Sequence, residues 1–330
     1  MNFWRRSIRQ VRPVHRDPTS ARRAPSRGRR PRLEDLEGRS LLSTIAISEY
    51  LAGPARHVVV QVDNSPPSDQ VITGSPPPTF VFNANTLQNT IDVLNTSAGV
   101  PVQVNGGALD TVNVGEAGSV QGILAPVTIT NPPSWNTINI DDSADPSSRT
   151  VTLSTVTPPG DTDWGQVTGL APAAISYKYG DTSSVHITTG TGADTVNVWE
   201  TGVTTYISTS GVQSTVNVGS GSVQGILGAL YVDDPPGYTT LNINDLYDNA
   251  SRLATLSTFS NGPDAGPWGS ITGLAPAAIN FAWNDVYSPV NISTPLDSYK
   301  YTPNVTWNVD SDALSSVVGI VVLDNGNQIN

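Results

Sequence analysis

Two acidic turns are the first places in this chain where residue type and spacing could do chemistry. Asp141, Asp142 and Asp145 fall within NIDDSAD, and NINDLYD sets Asn244, Asp245 and Asp248 at matching places further on. Acids so spaced can bring several oxygens onto one turn, which is what a hard cation such as Ca2+ requires. A solvated loop of an acidic protein has the same spacing, and both readings stand at this point. Arg149 and Arg252 follow the two turns at equivalent places and read as their structural partners. Catalytic groups are scarce: His15, His57 and His186 are the only histidines, and no G-x-S-x-G or H-E-x-x-H phrase occurs. No catalytic residue is assigned. A carboxylate pair for glycoside hydrolysis is the enzymatic alternative, because Asp is plentiful. Such a site should occur once, in one cleft, beside Arg or Lys able to hold acidic sugars.

The elements that position these acids come in duplicate. TVNVGEAGSVQGIL at Thr111 to Leu124 returns one residue shorter as TVNVGSGSVQGIL at Thr215 to Leu227, and TGLAPAAI occurs at Thr168 and again at Thr272, an offset of 104. Within each copy a short phrase alternates an apolar residue with Thr, Asn or Asp: TIDV at Thr90, TVNV at Thr111, TINI at Thr137, then TVNV at Thr195 and Thr215 and TLNI at Thr240. This is the period of a strand with one buried face. Gly, Asn-Gly and Pro-Pro steps separate the strands, and nothing keeps a period of 3.6 for three turns. The chain should be all-β.

Successive phrases lie about one coil of a parallel β-helix apart, so the expected architecture is a right-handed parallel β-helix, a solenoid of ~104-residue repeats. The alternative is a string of tandem immunoglobulin-like β-sandwiches, whose length is similar. The solenoid is favoured because the copies abut without a linker and the chain ends in part of a copy. The boundaries read as a disordered basic leader over 1–43, a Pro-rich lead-in and cap over 44–88, copies over 89–193 and 194–297, and a partial third copy over 298–330. GLAPAAI reads as a turn or a single helical turn. Trp164 and Trp268, each followed by Gly, read as rings packed on a turn, with a sugar-stacking platform as the sharper reading.

Composition narrows the partners. Residues 1–43 hold twelve Arg against four acids, a balance of +8, and the rest of the chain carries -19 of the total -11. Such a body repels nucleic acid and anionic lipid, so no nucleic-acid partner is expected. No apolar run approaches the roughly 18 residues of a membrane-spanning helix, so no transmembrane segment is expected either. With no cysteine, disulfides are excluded and stability must come from stacking.

Two stretches carry a resemblance. RLEDLEGRSLLS, Arg32 to Ser43, resembles the LEPR-XLL type segment of exported or surface proteins of planctomycete-like bacteria, with Leu33, Glu34, Leu36, Glu37, Arg39, Leu41, Leu42 and Ser43 at matching places and Gly38 where Pro is common. The resemblance implies export to the cell surface or exterior. NGGALDTVN and TGTGADTVN resemble the RTX nonapeptide, which implies calcium at Asp110 and Asp194. In true RTX arrays the turns follow in tandem, whereas these two Asp residues lie 84 positions apart. The function expected is an exported surface or matrix protein, structural or adhesive and without catalysis, stabilised by calcium and binding polysaccharide or other surface proteins. The alternative is a β-helix polysaccharide lyase or hydrolase.

Overall fold

The computed structural model describes residues 79–294 except 236 and 288, residues 305–309, and the backbone of the strands Ser43–Ala52, Ala55–Val62, Ser68–Ile72 and Val321–Asp324. The Arg-rich leader and the LEPR-XLL-like segment therefore lie outside the described residues, apart from the Ser43 backbone. The lead-in gives β1 (Ser43–Ala52), β2 (Ala55–Val62), β3 (Ser68–Ile72) and β4 (Phe80–Asn83). The first copy gives β5 (Asn89–Val93), β6 (Val102–Asn105), β7 (Asp110–Val114), β8 (Val127–Thr130), β9 (Asn136–Asp141), β10 (Thr150–Val156), β11 (Trp164–Thr168), β12 (Ile175–Lys178) and β13 (Thr182–Thr188). The second gives β14 (Thr195–Val198), β15 (Thr204–Ser208), β16 (Thr215–Val218), β17 (Leu230–Asp233), β18 (Thr240–Asn244), β19 (Arg252–Phe259), β20 (Trp268–Thr272), β21 (Ile279–Ala282) and β22 (Val290–Ser293). β23 (Val305–Val309) and β24 (Val321–Asp324) follow. Among the described residues there is no α-helix, and so none that could cross a membrane.

These strands form two mostly parallel sheets, of thirteen and eleven strands, in a solenoid-like arrangement. Because apolar and polar residues alternate, one row of most strands is buried and the other is not; β7, for example, buries Asp110, Val112 and Val114, whereas β21 is buried on both rows. In-register stacking turns the buried rows into ladders. Val93, Val114, Ile140, Ile187, Ile207, Val232 and Phe281 run through the larger sheet, and Leu153, Val198, Val218, Ile243 and Ile292 through the smaller. All belong to one core that extends from Ile91 to Val305. Each such residue contributes about 1.5–3 kcal/mol on burial, but ordering one residue costs about 1–2 kcal/mol. A single coil therefore depends on its neighbours for cover.

Outward positions form polar ladders. Asn113 donates to Asp92 and Asn139 to Asn113 on one sheet; Asn217, Asn242 and Asn291 each donate to the Asn before them on the other. The stack crosses the boundary between copies without a seam, since β10 pairs with β14 and β13 with β15, both in parallel. Immunoglobulin-like sandwiches would instead need antiparallel sheets closed within each copy, so that alternative fails. β1 extends the larger sheet by lying parallel to β5, and β23 adds in parallel to β19.

Two antiparallel inserts interrupt the parallel order: β10–β11–β12 in the smaller sheet and β19–β20–β21 in the larger. Elsewhere within the copies consecutive strands alternate between sheets. Counting each insert as one visit, a copy makes seven visits to a sheet. Seven is odd, so the second copy starts on the opposite sheet from the first and every repeated phrase changes face. The glycines after Trp164 and Trp268 have a role other than seating the indoles. Gly165 lies opposite Tyr177 and Gly269 opposite Phe281, and a Cβ at either glycine would sit 2.4 Å from that ring.

Candidate functional site

The repeated phrases converge. Asp142, fully buried, accepts the Val120 N–H at 2.9 Å and the Gln121 side chain; Asp245 accepts the Val223 N–H at 3.0 Å. Gln121 and Gln224 also donate to the Leu170 and Leu274 carbonyls of the two GLAPAAI turns, both at 2.9 Å. The SVQGIL turn, the acidic turn and the GLAPAAI turn are thus parts of one corner brace, built once per copy. Burial pushes the Asp142 carboxyl above its ordinary range and Asp245 up to about 6, while the valine N–H groups pull the other way.

The remaining acids expected to bind calcium each accept hydrogen bonds within the fold, although Asp194 Oδ2 is buried without a partner. Asp145 Oδ2 accepts from both Nε and Nη2 of Arg149, at 2.8 and 2.6 Å, and Asp248 accepts from Arg252 at 2.7 Å. Burial opposes charge at both, but these arginines and the Ser147 and Ala250 N–H groups outweigh it and hold both carboxyls below their usual range. Asp141 accepts the Ser143 N–H on the surface. Buried Asp110 accepts N–H groups from Asn89, Gly107 and Ala108, and Asp194 accepts the Arg149 N–H at 2.7 Å. Among the described residues, no three Asp, Glu or His side chains gather so as to hold a metal ion.

Comparing the copies exposes a different site. Where the first has Thr130, Asn131, Ser134 and Asn136, the second has Asp233, Asp234, Gly237 and Thr239. In the first copy Asn131 donates to the Ala108 carbonyl and to Asn136 Oδ1, and its own N–H is held by Asp181 at 3.1 Å. Asp285 likewise accepts the Asp234 N–H, at 3.4 Å. The side chain, however, has lost its donor: Asp234 is 0% exposed, and neither carboxylate oxygen has a hydrogen-bond partner. The buried Thr239 hydroxyl lacks one too.

Burial pushes Asp234 up to about 7; the Thr209 hydroxyl moderates the rise as a nearby dipole, its own bond running to the Asp233 carbonyl, and Asp285 adds to it. Asp233 is likewise raised to about 7, by burial and by the hydrogen bond it shares with Asp264. Burial also raises Asp285. No motif in the sequence marks this quartet, since Asp233 and Asp234 stand where the first copy has Thr130 and Asn131.

The face above the quartet is also unrepeated. His186 stacks on Tyr206 at 4.2 Å and Tyr206 on Tyr231 at 4.8 Å, where the first copy has Gln103 and Thr128 in place of the tyrosines. Burial lowers the His186 pKa. Trp268, at 1% exposure, cannot be a sugar platform; Trp164 is half-buried, its Nε1 donating to Asp161 at 3.0 Å. Exposed rings lie instead on loops: Trp135 in the first copy, and in the second Tyr238, its counterpart, set 5.3 Å from Tyr287. Comparison with protein-family models, with curated proteins and with solved structures finds no match to this chain.

Proposed function

We propose that this chain is an exported, non-catalytic element of a cell surface or extracellular matrix, a right-handed parallel β-helix that acts as spacer or adhesin. The observation that carries the reading is the parallel ladder of the larger sheet, which continues through both copies, together with the rows of Asn outside. Right-handedness follows the rule for parallel crossovers. Exposed Trp135, Tyr238 and Tyr287 suit stacking on sugar rings, and the acidic body suits neutral polysaccharide or a basic protein surface. Export rests on the Arg32 to Ser43 segment. The test is to fractionate cells that make the tagged full chain and to treat intact cells with protease. Recovery with envelope or medium, and cleavage from outside, is the expected result; recovery with cytosolic markers would overturn export.

The unrepeated carboxylates favour one rival, a polysaccharide lyase or hydrolase. Asp233 and Asp264 share a hydrogen bond and Asp233 titrates near neutrality, as a general acid does. Incubation with neutral and acidic polysaccharides separates the readings. Release of reducing or unsaturated ends, lost in Asp233→Asn, would establish the enzyme; retardation in a polysaccharide gel without product is expected of the scaffold.

A further inference from the structure

We propose that the second copy holds a divalent cation of the calcium class at Asp234, in a place that the first copy fills with side-chain amides. Three changes between the copies point the same way. Asn131 becomes Asp234, which supplies charge and removes a donor; Ser134 becomes Gly237, which removes a side chain; Asn136 becomes Thr239, which leaves a hydroxyl oxygen. The geometry matches. A Cβ built on Gly237 would lie 3.1 Å from each Asp234 oxygen and 3.0 Å from the Gly211 carbonyl oxygen, so three acceptors face the Gly237 Cα, where the serine of the first copy would crowd them. Gly211 is the counterpart of Ala108, whose carbonyl takes the Asn131 amide in the first copy. A calcium ion held by these oxygens would stand off the Gly237 Cα, at roughly 2.3–2.6 Å from each oxygen it takes.

A fully buried carboxylate with both oxygens unpaired is costly unless something positive answers it. No Lys or Arg makes an ion pair there among the described residues. Asp285, which already touches the Asp234 backbone, supplies the second negative charge, and Asp233 and Asp264 add to the field that would draw an ion in. Because no three carboxylates converge, the coordination sphere must be completed by the Gly211 carbonyl, the Thr239 hydroxyl and water. The site is independent of the export reading.

The competing account is a permanently protonated Asp234 that donates to Gly211 as Asn131 does to Ala108. One set of measurements separates the two. The full chain, stripped with chelator, is titrated at pH 8 with calcium chloride alone and magnesium chloride alone, following heat and melting temperature. Expected are one ion per chain, a rise in melting temperature, and at least a tenfold loss of affinity in Asp234→Asn and in Gly237→Ser, both checked for β structure by circular dichroism. Asn131→Asp with Ser134→Gly and Asn136→Thr in the first copy should raise the stoichiometry to two. No response of the parent chain to either ion, or a response kept by Asp234→Asn, would overturn the proposal. The first result, joined to a melting temperature that falls between pH 5 and pH 8 only while Asp234 is present, would establish the protonated acid instead.

Discussion

The turns at Asn131 and Asp234 are the same turn built twice, and they differ in what they can donate. The first closes on itself: Asn131 reaches the Ala108 carbonyl and Asn136, and its N–H rests on Asp181. The second keeps the Asp285 contact but aims a carboxylate at a carbonyl. The corner braces at Asp142 and Asp245 agree in residue and in the valine N–H each accepts, although Asp142 also takes the Gln121 amide while Asp245 Oδ2 has no partner. Asp245 thus keeps one oxygen bonded to the backbone, whereas Asp234 keeps neither.

The first way to break the comparison is through the core the copies share. Ile187 lies between Ile140 and Ile207 in the inward ladder, and Ile187→Ala should cost about 2–5 kcal/mol. Calorimetry should still give a single transition, because the ladder passes through both copies; two separated transitions would show that they fold independently.

A reciprocal exchange sharpens it. A carboxyl raised in the folded state keeps its proton there while the unfolded chain loses it, so stability is greatest in acid and falls as pH rises from about 4 through about 7. In chelator, Asp234→Asn should therefore stabilise at pH 8, by up to about 4 kcal/mol at ~1.4 kcal/mol per pH unit, and much less at pH 4. Asn131→Asp should do the reverse in the first copy. Urea unfolding at the two pH values checks both.

The matched braces should respond alike. Asp142→Ala and Asp245→Ala each strand a buried valine N–H, at a cost of about 1–3 kcal/mol, and unequal losses beyond that range would mean the corners are not equivalent. The smallest effect belongs to the half-exposed arginines. Arg149→Ala and Arg252→Ala should each cost about 1 kcal/mol or less, most visibly at low salt.

Much of this fold could be read from residue order. Alternation in TVNV and TINI gave the strands and their buried valines, and abutting copies gave the parallel stack. The inserts could not be read in the same way. GLAPAAI reads as a turn, while its flanks, WGQVT and ISYK, are strands β11 and β12 of a meander with β10, and the parallel partner of β12 is β8, distant in sequence. The change of sheet between copies depends on whether the number of visits is odd, and no local pattern records that. For the site, acids with glycines or arginines nearby stood out, and each accepts at least one hydrogen bond from the backbone or from Arg. Only alignment against Asn131 marks Asp234.

The odd count of visits also decides how such a chain can grow. Each antiparallel insert widens one sheet by two strands, roughly 10 Å. Since successive copies change sheet, the insert of the second copy falls in the sheet opposite that of the first. Repeated duplication of this unit would therefore widen the two sheets in turn, whereas a unit with one visit more or fewer would have put every insert in the same sheet.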